Sequence, residues 1–465
     1  MIIRSETSHE GTRYALVLKD GRRHLLVDGD TAGFTGQVPG GALLCPLIAE
    51  NAAALRTLLP WLTPQPLGAK TSAGFGDRLG IATPGHIAAV EGTGVAPVFA
   101  QQSVRENART GRKPQAVLDD AMWGVFECSW RASWGADADH LKSVEHIQPF
   151  VEAGYTFFTI DPSDYVDDAA DSDDLGTLET KIRQLDWQTL DSSPPATIER
   201  YLQTFTLDDR ALAFDQLSLF RAMAKYGDAV AHTVRMAQRL QAQLGSDDFD
   251  LEMSVDETQT TTSLHEHFYI VSELRRLRVR CVSIAPRFVG RFEKGVDYIG
   301  DLDELEQNIA GHAAIMRHFG GYKLSLHTGS DKFGVYPLAV RHTGGLVHLK
   351  TAGTSYLEAL RVLARYDAPF FREILRLARS RYTEDRKTYH VSAELERVPA
   401  GSTLSDAQLP ELLDQFAARQ VLHVTFGSVL DTFGAQLHES LSAHETAYRE
   451  ALKAHFERHL EAFKA

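Results

Sequence analysis

Short apolar runs ending on polar residues, each followed by a stretch with apolar positions at helical spacing, recur along residues 69–395. Eight such runs read as strands: Leu79–Thr83, Ala96–Gln102, the stretch ending Ser133–His140, Tyr155–Asp161, Phe249–Val255, Val279–Arg287, Tyr322–Leu326 and Leu346–Ala352. Between them, sets such as Phe268, Val271, Leu274 and Leu277, or Leu357, Leu360, Leu363 and Ala364, keep one helical face apolar. Eightfold strand–helix alternation predicts an α/β fold, a parallel (β/α)8 TIM-type barrel. In such barrels, side chains at the C-terminal ends of the strands build the active site.

Three pieces break the rhythm. Residues 1–68 form an N-terminal α+β extension: Tyr14–Leu18 and His24–Asp28 flank Asp20-Gly21, a hairpin signal, and Asn51–Leu59 reads as a helix stopped by Pro60. A helical insertion of about residues 165–247 follows strand four, with helical patterns at 198–205 and 210–244. Its acidic start, Asp164 to Asp174, lacks the spacing of a calcium loop and reads as solvated and mobile. Residues 396–465 form a C-terminal helical segment packing on the barrel, with one helix expected from Leu437 to the end. Leu441, Tyr448, Leu452, Phe456, Leu460 and Phe463 line its apolar face, which could also serve a homo-oligomer contact.

Composition narrows the function. A formal charge of −14, with no Lys/Arg run interleaved with aromatics, argues against nucleic acid and fits poorly with anionic membrane. Cys45, Cys128 and Cys281 are widely spaced and suggest free thiols in a reducing compartment. The N-terminus has no long apolar segment and no run approaches a membrane span, so the expected location is cytoplasmic.

The strand ends carry the candidate chemistry. Asp139-His140 could divide labour, the imidazole holding a cation and the carboxylate moving protons; the bland alternative is an Asp capping a helix at 141–151. His327 precedes Thr328-Gly329-Ser330, a turn with room for substrate. Glu252 interrupts an apolar strand, so it needs a lumen partner; a proton-transfer role and an ion pair with Lys350 or Arg287 both meet that need. Asp256 and Glu257 at the same mouth are solvated or substrate-facing. Arg287, Arg291 and Lys350 could hold a carboxylate, Asp161 a sugar hydroxyl, and Glu293 or His348 a cation. Gly74–Gly80 lacks the strand-before, helix-after setting and the lysine of a phosphate loop.

The blocks Gly74–His86, Ala136–Lys142, Phe158–Asp164, Arg287–Gly300 and Lys323–Lys332 resemble the tagaturonate/fructuronate epimerase family of bacterial hexuronate catabolism. The resemblance implies a divalent-metal-dependent isomerase, an epimerase of a keto-uronate; Mn, Ni, Zn and Fe all suit the donors. A weaker similarity to class II aldolases implies metal ligands at His140 and His327, with Glu293 standing where those enzymes use a further histidine. The inverted carbon is β to the ketone, so its proton is not acidified. The expected route is therefore retro-aldol cleavage, aldehyde rotation and re-addition. On that reading Asp139 and Glu252 move the proton, and Asp161, Arg287 and Lys350 bind substrate. An aldolase or lyase on a sugar acid and a non-catalytic sugar-acid binding protein are the other readings of the same residues.

Overall fold

The structure, a computed structural model, describes residues 1–464 apart from Pro39 and Asp209; Ala465, the end of the expected last helix, lies outside the described residues. The chain opens with an antiparallel sheet in the order β1 (Ile2–His9), β2 (Thr12–Lys19), β3 (Arg22–Asp28), β4 (Leu43–Cys45). The β2–β3 hairpin turns on Asp20 and Gly21, both at positive φ (52° and 73°), as a two-residue turn between right-twisted strands demands. The helix Ala49–Leu58 follows.

Eight parallel strands then close a barrel: β5 (Ser72–Phe75), β6 (Ala96–Ser103), β7 (Gly135–Leu141), β8 (Phe157–Ile160), β11 (Asp250–Ser254), β12 (Ser283–Ala285), β13 (Lys323–Leu326) and β14 (Val347–Thr351). Strand β8 pairs with β11 and β14 with β5, so no edge is left open. The insertion between β8 and β11 holds the helices Leu175–Gln184, Pro194–Tyr201 and Gln216–Leu244, and a hairpin of β9 (Thr204–Leu207) and β10 (Arg210–Ala213). The barrel fold read from the alternation is the fold observed.

Several local expectations differ. The first barrel strand is Ser72–Phe75, and Leu79–Thr83 is instead a loop entering the helix Thr83–Val90. The Asp77 carboxylate accepts from the backbone N–H groups of Leu79, Gly80 and Ala82 (3.0, 2.7 and 2.7 Å), which folds that apolar run into a turn. Strand three is confined to Gly135–Leu141, and the apolar run Trp123 to Phe126 that precedes it belongs to the helix Pro114–Glu127. Both helical patterns expected in the insertion are interrupted by β9 and β10. The acidic stretch is tied down: Asp168 accepts from the N–H groups of Gln259 and Thr260 (both 3.1 Å), and Asp171 pairs with Lys225 (2.8 Å). The expected last helix is two, Phe426–Ala443 and Glu445–Leu460, broken at His444.

Candidate active site

The strand ends gather the polar residues of the lumen around the Lys350 ammonium. In β14, Lys350 Nζ lies 2.8 Å from Asp137 Oδ2, 2.8 Å from Asp139 Oδ1, 3.2 Å from Glu252 Oε1 and 2.5 Å from Thr159 Oγ1. Burial disfavours its charge, but the three carboxylates outweigh that and raise its pKa. Their effects on one another diverge. Burial and like charge push Asp137 up to about 6. Asp139 and Glu252, which burial alone would raise, are held well below the carboxylate range by Lys350 and by the neighbouring histidines.

Period two puts Asp137 and Asp139 on the lumen face of β7, and ordinary pleating would send His140 outward. A register irregularity between Ala138 and Leu141, with His140 at φ 55°, turns it back. Bulges re-aim side chains in this way beside active sites. The His140 ring centre comes to 4.3 Å from that of His327, which directly follows β13. Asp139 lies inside β7, so it caps no helix.

Each histidine is oriented by a carboxylate behind it. His140 Nδ1 donates to Asp161 Oδ2 (3.0 Å), and His327 Nδ1 donates to Glu252 Oε1 (3.1 Å). Such partners fix the ring and leave Nε2 as the ligating atom. His327 Nε2 is buried without a hydrogen-bond partner; it lies 3.2 Å from Asp139 Oδ1, but without hydrogen-bond geometry. Burial and Lys350 lower the His327 pKa, yet Asp256 and Asp139 prevail and push it up to about 10. Asp139, His140 and His327 offer ligand atoms within 4.8 Å of one another, and so do His140, Asp161 and Glu257. A buried orphan nitrogen among carboxylates and a second imidazole fits a divalent cation.

The remaining expected residues are placed differently. Glu293 does not join the two histidines. Its Oε2 accepts from Ser392 N (2.9 Å), Ser392 Oγ (2.7 Å) and Gln420 Nε2 (2.8 Å), which ties the strand-six loop to the C-terminal part of the chain. His348, the other expected third ligand, is bonded through Nδ1 to Ser72 Oγ (2.8 Å), deeper in the lumen. Lys350 is saturated and 1% exposed, so it neutralises the carboxylates where a substrate-holding role was expected. Glu252 is likewise engaged on both oxygens, by His327, Lys350 and the Ser283 hydroxyl. Arg287 donates to the Asp256 carbonyl (2.7 Å) and lines a cavity of 410 Å³ together with Asp256, Glu257, Lys294, His327 and Tyr389. Sequence reasoning missed Asp137, whose signal was its period-two spacing from Asp139, and the roof of the cavity, Thr388–Ser392. That roof is held by Arg105, which lies over the Tyr389 ring (4.9 Å) and donates to the Thr388 carbonyl (3.3 Å).

A second cluster, Asp331, His455 and His459, also brings ligand types together. There His459 Nε2 accepts from the Asp331 N–H (2.9 Å) and Nδ1 donates to the His455 carbonyl (3.0 Å), so this imidazole has no free lone pair.

A sequence model of the tagaturonate epimerase family (UxaE) matches residues 6–463. The chain belongs to the tagaturonate epimerase family. Membership makes it an isomerase, as the resemblance implied. A tagaturonate/fructuronate epimerase of Thermotoga maritima is 45% identical over 416 residues, covering 89% of this chain and 84% of that protein. A glycerol-complexed crystal structure of the fructuronate-tagaturonate epimerase UxaE from Cohnella laeviribosi superposes with a TM-score of 0.94 at 36% identity, over 99% of this chain and 96% of that one. The native crystal structure of that epimerase gives the same score and identity, over 99% and 95%. The tagaturonate epimerase family therefore spans nearly the whole chain, including the extension, the insertion and the C-terminal helices. No helix of the described residues is long and apolar enough to cross a membrane.

Proposed function

We propose that this chain interconverts D-tagaturonate and D-fructuronate with a divalent cation at His140, His327 and Asp139, by retro-aldol cleavage and re-addition. The observation that carries the reading is the pair of histidines, each oriented by its own carboxylate, with Nε2 of His327 buried and unpartnered. When bound, the cation would supply Lewis acidity for the oxygens that gain negative charge as the C–C bond breaks.

The chain's own residues do the rest. Asp256 and Glu257 line the cavity beside His327, and their position suits removal of the C4 hydroxyl proton and its return after the aldehyde turns. Thr328 Oγ1 donates to Asp256 Oδ2 (3.0 Å), orienting that carboxylate. Breaking the C3–C4 bond leaves its electron pair on the three-carbon ketone fragment, and re-addition to the other face of the aldehyde restores the same atoms with C4 inverted. Arg287, Arg291 and Lys294, on the strand-six loop, suit the substrate carboxylate. The roof Thr388–Ser392 keeps water from the intermediate fragments.

The test is to strip the protein of metal, add tagaturonate with and without Mn²⁺, Ni²⁺ or Zn²⁺, and follow the mixture by NMR. Metal-dependent appearance of fructuronate without free fragments is the expected result. Net accumulation of fragments would make the chain an aldolase, and absence of turnover under every metal would overturn both.

A further inference from the structure

The run Arg275-Arg276-Leu277-Arg278-Val279-Arg280 joins the helix Leu264–Arg276 to the start of β12. It lies at the N-terminal end of the strands, away from the mouth that carries His327. Arg276 is used within the fold: its Nη2 donates to Glu273 Oε2 (2.8 Å) and to the Leu190 carbonyl. The other three arginines are exposed, and none forms an ion pair with a described residue. Arg275 reaches only the Gly320 carbonyl and lies over the Phe319 ring (5.3 Å). The guanidinium groups of Arg278 and Arg280 have no partner among the described residues. The chain carries 62 acidic residues against 48 Lys and Arg, so most exposed cations could find an acid; these do not.

Arg275, Arg278 and Arg280 rim a cavity of 460 Å³. Leu274, Val279 and Ile284, all buried residues, form apolar walls within it. Cavities of this size with apolar walls and a few convergent charges are the usual form of small-molecule sites. Three arginines on one rim, none of them in an ion pair, supply fork-shaped donors for phosphate or carboxylate. We propose that this cavity binds a small organic anion, its phosphate or carboxylate on the arginine rim and its apolar portion against Leu274, Val279 and Ile284. The site is separate from the substrate cavity, and its case does not depend on the reaction proposed above.

The test titrates the full-length protein with phenyl phosphate, inorganic phosphate and benzyl alcohol by isothermal calorimetry. Two variants accompany it: the double variant R278Q/R280Q, and R287Q as a control at the mouth. Thermal melts establish that both are folded. Saturable binding of phenyl phosphate is expected, weakened by at least about tenfold in R278Q/R280Q and unchanged in R287Q. Inorganic phosphate should bind more weakly, and benzyl alcohol should not saturate. Turnover of R278Q/R280Q without added probe should match the parent. Three results would overturn the site: no saturable binding of phenyl phosphate, equal binding by R278Q/R280Q, or loss in R287Q instead. Equal affinities for inorganic and phenyl phosphate would overturn the apolar half of the assignment.

Discussion

Lys350 and Lys323 are both buried inside the barrel, on the neighbouring strands β14 and β13, and their surroundings differ in kind. Lys350 meets the carboxylates of Asp137, Asp139 and Glu252 and stays charged. Lys323 meets only neutral acceptors: its Nζ donates to the carbonyls of Gly68 and Lys70 (both 2.9 Å) and to Ser72 Oγ (2.8 Å). Burial lowers its pKa to about 8, although Asp250 and Glu252 pull the other way. Asp250 in turn accepts from the N–H groups of Leu67 and Gly68 (2.6 and 2.9 Å), so the chain at 67–72 seals this end. At the mouth, three carboxylates face one ammonium, and negative charge is left over for a cation. At the bottom of the lumen, the acceptors of Lys323 are backbone and hydroxyl, and they leave no negative charge over for a cation.

The comparison breaks most sharply at the mouth. His327→Ala should lower epimerisation at least about 10³-fold with little change in fold, because the ring is one member of a unit that acts together. A variant retaining half the parent rate would end the assignment. Lys350→Met leaves three buried carboxylates uncompensated and should cost about 3–5 kcal/mol in denaturant unfolding as well as activity. Lys323→Met should cost only about 1–3 kcal/mol and leave turnover intact; equal losses in the two variants would erase the distinction drawn between them.

Smaller effects sharpen it. Asp161→Asn, which removes the acceptor behind His140, should weaken Ni²⁺ binding by about 10–100-fold in calorimetry. The two lysines should also respond to pH with opposite sign. Lys323 has a folded pKa below that of the unfolded chain, so the unfolded state binds more protons between pH 8 and the ordinary lysine value. Its contribution to stability should therefore rise with pH across that window, by at most about 1.4 kcal/mol per pH unit. The raised pKa of Lys350 contributes stability that is complete below the ordinary lysine value and is lost only above it. The stability difference between the parent and Lys323→Met, followed by urea unfolding from pH 8 to 10, should widen in favour of the parent. Glu293→Gln, the mildest, should raise KM by up to about tenfold by loosening the roof, with Ni²⁺ affinity unchanged. A fall in that affinity would restore Glu293 as a ligand.

The barrel, and the strand-end positions of the candidate site, were legible because they depend on local signals. Apolar runs with polar ends marked six of the eight strands, the polar end Asp137–His140 marked β7, and Asp139, His140, Glu252, His327 and Lys350 all lie on or directly after those seven strands. The first strand was missed because Ser72, Ala73 and Gly74 carry almost no apolar signal. Their small size answers to a neighbour: a Cβ on Gly74 would stand 3.0 Å from Gln101 Oε1, whose own Nε2 donates to Asp139 (3.2 Å). Roles were harder to read than positions. Whether Lys350 holds a substrate or neutralises Asp137 depends on which strands face each other across the lumen. No spacing along one strand reports that. The contacts of Glu293 were illegible for a related reason, since its partners Ser392 and Gln420 lie 99 and 127 residues away in the chain.

The Glu293–Ser392–Gln420 link also bears on the order in which the molecule can be made. Synthesis runs from the N-terminus at about 5–20 residues per second. The barrel cannot close until β14 has emerged to pair with β5. Ser392 and Gln420 emerge later still, so a ribosome-bound chain can hold a finished barrel whose roof is not yet latched. During that interval the carboxylates around Lys350 are already in place beneath an open mouth. Loading of a cation during biosynthesis would meet less obstruction than loading of the completed protein.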